Sequence, residues 1–494
     1  MNSRSQKRFT RIDVAALLVF AAVWIYYIVI VRYGVCFPDE SQFITTAERF
    51  VHGDRPLVDD WHLAQLSCLF LCPFYKLYVA VKGSTAGIIL FLRYLFTALN
   101  AVVYWVTYLH LRKYRWLSLV TTLLFCINVP AGLFAWYYYT ASIRLLMLAC
   151  LLLFAEKKTP LSLVISGVLF ALSVVYQPGF ALMYFAYTVL VWLRFFRKKK
   201  GRAFADGFDF CLDAGTWLWF SASIFVCAAA LLTFVFVRSG LRNILATLPY
   251  MFLTDPEYDY SAGGSAWSVV FRKLSEAVGV YGYACLAAAI LVIALSAAYA
   301  CGRFRSHRSI ARKTLFCAAC AVWIWSCVPT FRLLSGTLPF AGIFFKIYPV
   351  TLFWLGLACY LLCERKDRRL FCFWIVSLCA SLGVDLTSEL SIANGAPISY
   401  VADLAFFVQL VRELREAEPV RKSAGANSLR TRKAARHADA SVRWATRLAC
   451  GCFALWFACT LVRDNTILPM HYLQHTPARS FTAVCESGPC AGIR

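Results

Sequence analysis

Val14-Ala-Ala-Leu-Leu-Val-Phe-Ala-Ala-Val-Trp-Ile-Tyr-Tyr-Ile-Val-Ile-Val31 is an unbroken apolar run, and Cys36-Phe-Pro-Asp39-Glu40 follows it closely. A helix of this length matches the hydrocarbon core of a bilayer, so the run is expected to cross a membrane. No small-x-small cleavage site follows, which argues for a retained first span rather than a removable signal. An acidic pair at the mouth of such a span is costly unless it has a partner or a task.

Similar windows recur along most of the 494 residues, 61% of which are hydrophobic, with a mean hydropathy of +0.64. Water does not tolerate that much apolar surface. A backbone in lipid must satisfy its own hydrogen bonds, so the expected fold class is an all-α polytopic membrane protein. The net charge of +24 does not signal a nucleic-acid groove. Its basic residues cluster in alternate breaks: Arg4 to Arg11, Arg112 to Arg115, Arg194 to Arg202, Arg303 to Lys313, Arg365 to Arg369 and Arg412 to Arg447. That is the pattern left by retaining positive charge on the cytoplasmic side, and it leaves contact with anionic lipid heads open.

With those clusters inside, spans are expected near 12–32, 86–109, 116–132, 134–155, 160–176, 178–194, 214–237, 278–300, 314–332, 338–361, 370–386, 396–411 and 444–461. Merging or re-entry of adjacent short runs gives a bundle of about 11 to 13 crossings, with the amino terminus cytoplasmic. The expected organisation is a transmembrane catalytic region over 1–411, a basic cytoplasmic linker over 412–443, and a last span with a short outer tail over 444–494. Outer loops 33–85 and 238–277 are long enough to build something. Within the first, Trp61–Val81 reads as a helix lying at the interface, because His62, Gln65 and Lys76 interrupt its apolar positions. Most of the 21 cysteines sit in apolar runs as small hydrophobes. Cys485 and Cys490 lie in the outer tail, where a disulfide and two free thiols are both open readings.

Candidate chemistry gathers near the outer helix ends. Asp39 can take a proton from an attacking hydroxyl, with Glu40 beside it; the plain alternative is an interfacial pair facing water or capping a helix. Asp59, Asp60, Trp61 and His62 offer hydrogen bonds and a stacking ring for a sugar, and Asp60 is equally a cap for the helix that follows. Tyr137 and Tyr138 are either an aromatic belt or a pocket wall. Asp255 belongs to the second outer loop. Arg93, Arg144, Arg332 and Lys346 sit in or beside apolar runs, where a cation needs either a carboxylate or an anionic ligand such as a lipid phosphate. No phosphate-cradling glycine loop, dinucleotide fingerprint or zinc-protease histidine pair occurs.

These features resemble the integral-membrane glycosyltransferases of the GT-C class, near the bacterial protein O-mannosyltransferases and lipid A aminoarabinose transferases. The likeness rests on Asp39-Glu40 just after the first span, the polar stretch and interfacial helix from Gly53 to Tyr78, and Arg93 early in the second span. Asp60-Trp61-His62-Leu63 stands where the mannosyltransferase branch has a His-Pro-Pro segment, which leaves donor and acceptor open. The resemblance implies a GT-C-like bundle in a bacterial plasma membrane. It implies inverting transfer from a polyprenyl-phosphate sugar to a glycan, lipid or protein acceptor of the cell envelope, with Asp39 as base. Some members of the class use a divalent metal, magnesium or manganese. The rival reading is a polytopic lipid-sugar transporter or flippase, which also keeps charged residues in its spans.

Overall fold

A computed structural model of the chain describes residues 10–32, 38–60, 62, 64–127, 135–200, 208–253, 275, 278–279, 281–304, 308–328, 348–387, 396–423 and 429–462. These residues are helical with no strand among them. The chain divides into two compact units, Met1–Gly264 with Leu461–Arg494, and Ser265–Thr460. The division falls inside the 238–277 loop, so the expected catalytic region of 1–411 takes in parts of both units.

The first unit contains α1 (Arg11–Ile30), α2 (Pro38–His52), α3 (Cys72–Lys82), α4 (Ile88–Leu111), α5 (Trp116–Ile127), α6 (Tyr138–Leu153), α7 (Pro160–Tyr176), α8 (Ala181–Lys199), α9 (Ala214–Ser239) and α10 (Leu241–Leu253). The second contains α11 (Tyr283–Ala300), α12 (Arg308–Ser326), α13 (Tyr348–Leu362), α14 (Arg368–Thr387), α15 (Tyr400–Ser423) and α16 (Leu429–Val462). Each expected span overlaps a helix. Five stretches, Arg11–Ile30, Ile88–Tyr114, Pro178–Lys199, Ala214–Ser239 and Tyr283–Ala300, are long and apolar enough to cross a membrane. Trp116–Ile127, Tyr138–Leu153, Pro160–Tyr176 and Leu352–Leu362 are apolar but shorter; twelve residues reach only about 18 Å against a core of about 30 Å. The outward faces of the longer helices are apolar. On α9, Leu218, Phe225, Val226, Phe234 and Val237 are all exposed, a surface suited to lipid and not to water.

Helices α1 and α4 run antiparallel and are tied at both ends. Thr10 caps α1 with a reciprocal bond to Asp13. The buried Asp13 then accepts from the Tyr108 hydroxyl at 2.7 Å and pairs with Arg112 at 2.5 Å. At the other end Arg93 donates to the Val31 carbonyl at 3.0 Å, and Arg32 donates to the Tyr94 hydroxyl at 2.7 Å. Between these ends α4 carries a buried polar stripe, Arg93, Thr97, Asn100, Tyr104 and Tyr108, at spacings of three and four residues. Thr97 and Asn100 bond back to the carbonyls of Arg93 and Phe96.

Small residues set the closest helix approaches, as expected where lipid supplies no hydrophobic push between helices. Gly167 of α7 lies so near α9 that a Cβ there would meet the Ser223 Oγ at 1.9 Å and the Phe220 carbonyl oxygen at 2.5 Å. The Phe220 oxygen belongs to the helix backbone and has no easy escape. Gly167→Ala is therefore expected to destabilise the first unit by about 1–3 kcal/mol, read as a lowered unfolding midpoint in detergent; an unchanged midpoint would show that the two helices can part at no cost. In the second unit Gly356 of α13 admits Asp403 of α15 in the same way.

Two expectations about the outer segment change in detail. The segment from Pro38 to His52, to which no helix was assigned, forms α2. The interfacial helix begins at Cys72 and not at Trp61, with a 3-10 turn over Gln65–Phe70 before it. Pro73 explains the later start: it lacks an N–H and is tolerated in a first turn but not in a helix interior. Gly83, in the left-handed region at φ 71°, ends α3. The basic stretch expected as a linker over 412–443 is helical through Ser423 and again from Leu429.

Candidate active site

The acidic pair opens α2. Pro38 stands at its first position with Asp39 and Glu40 in the first turn, an arrangement that suits the positive end of the helix dipole. Glu40, Phe43, Thr46, Ala47 and Phe50 are buried along one face, at the three-and-four spacing of an amphipathic helix. The Glu40 carboxylate accepts from Arg93 Nε at 2.7 Å and Nη2 at 2.5 Å, a bidentate pair. Both side chains are almost wholly buried, at 5% and 2% exposure. Arg93, a candidate phosphate ligand by its type and depth, thus joins α4, α2 and the end of α1. For either member of the pair to meet a ligand, this contact must open.

The loop after α2 is ordered by its own charges. Arg49 donates from Nε to Asp54 at 2.6 Å and from Nη2 to the Asp59 carbonyl at 2.5 Å. Asp60 accepts from the Thr46 hydroxyl and the His62 N–H, each at 3.0 Å, and lies 3.6 Å from Arg49. The cap expected at Asp60 is thus made within a turn rather than at the start of a long helix. Buried Gln65 accepts from the Leu57 N–H and donates to the Asp60 carbonyl, both at 2.7 Å. Leu57 itself sits at φ 63°, a left-handed conformation costly for a branched side chain. It is held from the far side by α9 and α10: Thr247 donates to the Leu57 carbonyl at 2.7 Å, Ser239 to that of Pro56 at 2.6 Å, and Arg238 to that of Phe50 at 2.6 Å.

Asp59 takes the Arg55 side chain at 2.9 Å and its N–H at 2.7 Å. The Arg55 hydrogen bond outweighs partial burial and holds the Asp59 carboxyl below the usual aspartate range. A depressed carboxyl stabilises the fold above its ordinary value near 3.8, and that contribution disappears as pH falls through the depressed one. Protease cleavage within residues 53–60 is accordingly expected to rise as pH drops below about 4, and Asp59→Asn should abolish the pH dependence. An identical acid profile in the variant would remove Asp59 from this role.

Aromatic rings wall the same region. Phe43 stacks on Tyr138 at 5.3 Å, and the His62 ring stands 5.8 Å from Phe43 and 6.0 Å from Tyr138. His62 Nδ1 accepts from the Ala64 N–H at 3.2 Å, which puts the ring proton on Nε2. Tyr137 is buried against Tyr138 and Tyr139. Trp136 donates to the Tyr176 hydroxyl at 2.8 Å and packs on Phe74. Glu40, Asp60, His62, Arg93 and Tyr138 are therefore gathered around α2. Arg144 lies deeper. It bonds the Asn100 side chain and, at 2.9 Å, the Thr140 carbonyl, with its guanidinium 5.5 Å from the Phe96 ring. Asn100 is two helical turns from Arg93, about 10 Å along α4.

The Asp39 side chain, Trp61, Asp255, Arg332, Lys346, Cys485 and Cys490 lie outside the described residues. Among those described, no three His, Cys, Asp or Glu side chains converge as metal ligands. Phe43, Thr46 and Arg49 complete the region and were not singled out from the sequence, and Gln65 was read only as a break in the apolar pattern. The buried face of α2 was the available signal, hidden by the polar average of that segment. No protein-family model, curated protein or solved structure matches the chain.

Proposed function

We propose that this protein is a polytopic inverting glycosyltransferase of GT-C type, using a polyprenyl-phosphate sugar at the outer face of a bacterial plasma membrane. The amino terminus lies in the cytoplasm and 11 to 13 segments cross or re-enter the bilayer. The observation that carries the reading is the placement of Asp39-Glu40 in the first turn of α2, directly after the first apolar helix, with Glu40 fixed on Arg93 beside an aromatic wall. Such a site lies where a carrier dissolved in lipid presents its headgroup.

In the reaction, Asp39 accepts the proton of an acceptor hydroxyl as that oxygen bonds to the anomeric carbon. The bond from that carbon to the carrier phosphate breaks, the phosphate keeps the electron pair, and configuration inverts. Asp59, Asp60, Trp61, His62 and Asp255 with Tyr137 and Tyr138 shape the sugar and acceptor site. Arg93, Arg144, Arg332 and Lys346 are candidates to receive the negative charge on the phosphate. Arg93 can do so only when Glu40 releases it. A divalent metal, if the protein uses one as some of the resembled class do, would assist at the same phosphate.

The test is transfer by membranes containing the protein, supplied with radiolabelled polyprenyl-phosphate sugars. Label is expected to leave the prenyl fraction for an envelope acceptor, and Asp39→Asn to stop it. Normal transfer by a folded Asp39→Asn protein would remove Asp39 as the base. One feature favours the second reading, a lipid-sugar transporter: the buried polar stripe of α4 reaches from the Glu40 pair to the Asp13 pair. That reading predicts label crossing sealed vesicles while still joined to its carrier.

A further inference from the structure

Helix α16 has 34 residues, about 51 Å of helix against about 30 Å of hydrocarbon. Its first half is basic and its second half apolar, so it must leave the bilayer near Arg443 to Arg447. Over that stretch one side is packed: Val442, Thr446 and Ala449 are buried. The opposite side presents Arg443, Trp444, Arg447 and Leu448 outward, followed two turns on by Leu455. Trp444 is 61% and Leu448 56% exposed. The Arg447 guanidinium lies 5.7 Å from the Trp444 ring centre.

From Arg412 to Arg447 the sequence carries ten lysines and arginines against four carboxylates. The carboxylates nearest α12 are already engaged: Glu413 takes Arg312, and Asp439 takes Lys313. Arg412 and Arg415 flank Glu413 on α15, and Arg443 stands about one turn after Asp439 on α16. All three are exposed, as are Arg447 and Glu416. An excess of arginine next to an outward tryptophan and outward leucines has the make-up of a lipid headgroup site.

We propose that Arg443, Trp444 and Arg447 bind the phosphate headgroup of an anionic phospholipid at this membrane–water boundary. The guanidinium groups take the phosphate, the Trp444 ring sits at the level of the glycerol, and the acyl chains run along Leu448 and Leu455. A zwitterionic lipid fits less well, because its own ammonium meets the neighbouring arginines. The site is independent of the catalytic reading above.

Native mass spectrometry of the full-length protein, purified in mild detergent and offered equal phosphatidylglycerol and phosphatidylcholine, tests this. Wild-type protein is expected to retain phosphatidylglycerol preferentially. Arg447→Gln should lower that enrichment roughly five-fold, and Arg443→Gln with Arg447→Gln further. Trp444→Leu should weaken retention of both lipids. Arg115→Gln, an exposed arginine of the first unit, should leave the enrichment unchanged and serves as the control for general charge. Equal retention of the two lipids by the wild type, or full enrichment in the folded double variant, would overturn the assignment.

Discussion

Glu40→Ala lowers stability by about 3–5 kcal/mol, the largest effect expected of any single change in the first unit. The alanine leaves Arg93 buried with its bidentate partner gone, and a buried charge without compensation is far more costly than the intact pair is favourable. Its bond to the Val31 carbonyl does not replace a carboxylate. Two companion variants separate this cause from simple loss of packing. Glu40→Gln keeps the shape and one acceptor, and is expected to cost less. Glu40→Ala combined with Arg93→Leu removes both charges and should recover a good part of the loss, giving a strong coupling in a double-mutant cycle. Denaturant titration of the purified protein in detergent, followed by helical signal, is the measurement. Additive losses in the cycle would mean that the two side chains do not act as a pair.

Glu413→Ala is expected to have a comparable effect on the second unit, about 3 kcal/mol. One carboxylate there accepts from the Glu364 N–H at 2.9 Å, the Arg365 N–H and the Gln409 side chain at 3.0 Å, and Arg312. It therefore closes the turn between α13 and α14, and it fixes α12 to α15. Arg312 keeps the Leu362 carbonyl at 2.8 Å and Glu364 at 3.3 Å, which limits the loss. The turn should nevertheless open, so hydrogen exchange at residues 363–367 is the direct readout. Unchanged protection in the variant would assign the turn to its own local bonds.

How much of this was legible in the sequence differs from element to element. Pro160–Tyr176 is recovered to the residue, with Thr159 as its cap, because Thr-Pro before an apolar run is a helix start of known chemistry. Helix α2 was missed. Glu40, Phe43, Ala47 and Phe50 repeat correctly along one face, but the segment is polar on average, and its buried side is defined only by Arg93 and Tyr138. The pairing of Glu40 with Arg93 spans 53 positions, a separation that no local pattern encodes. Arg93 was read as a cation needing either a carboxylate or an anionic ligand, and the carboxylate it meets, Glu40, is a fact of packing.

What the sequence determined by itself is the helical, membrane-suited character of the chain, since lipid imposes a single rule on every backbone group it surrounds and hydropathy reports that rule residue by residue. Tertiary structure alone decided which charges meet. Glu40 with Arg93, Asp13 with Arg112 and Glu413 with Arg312 are choices among many cations and carboxylates. They are settled by where the helices cross and by the cost of leaving any one of those groups buried without its opposite.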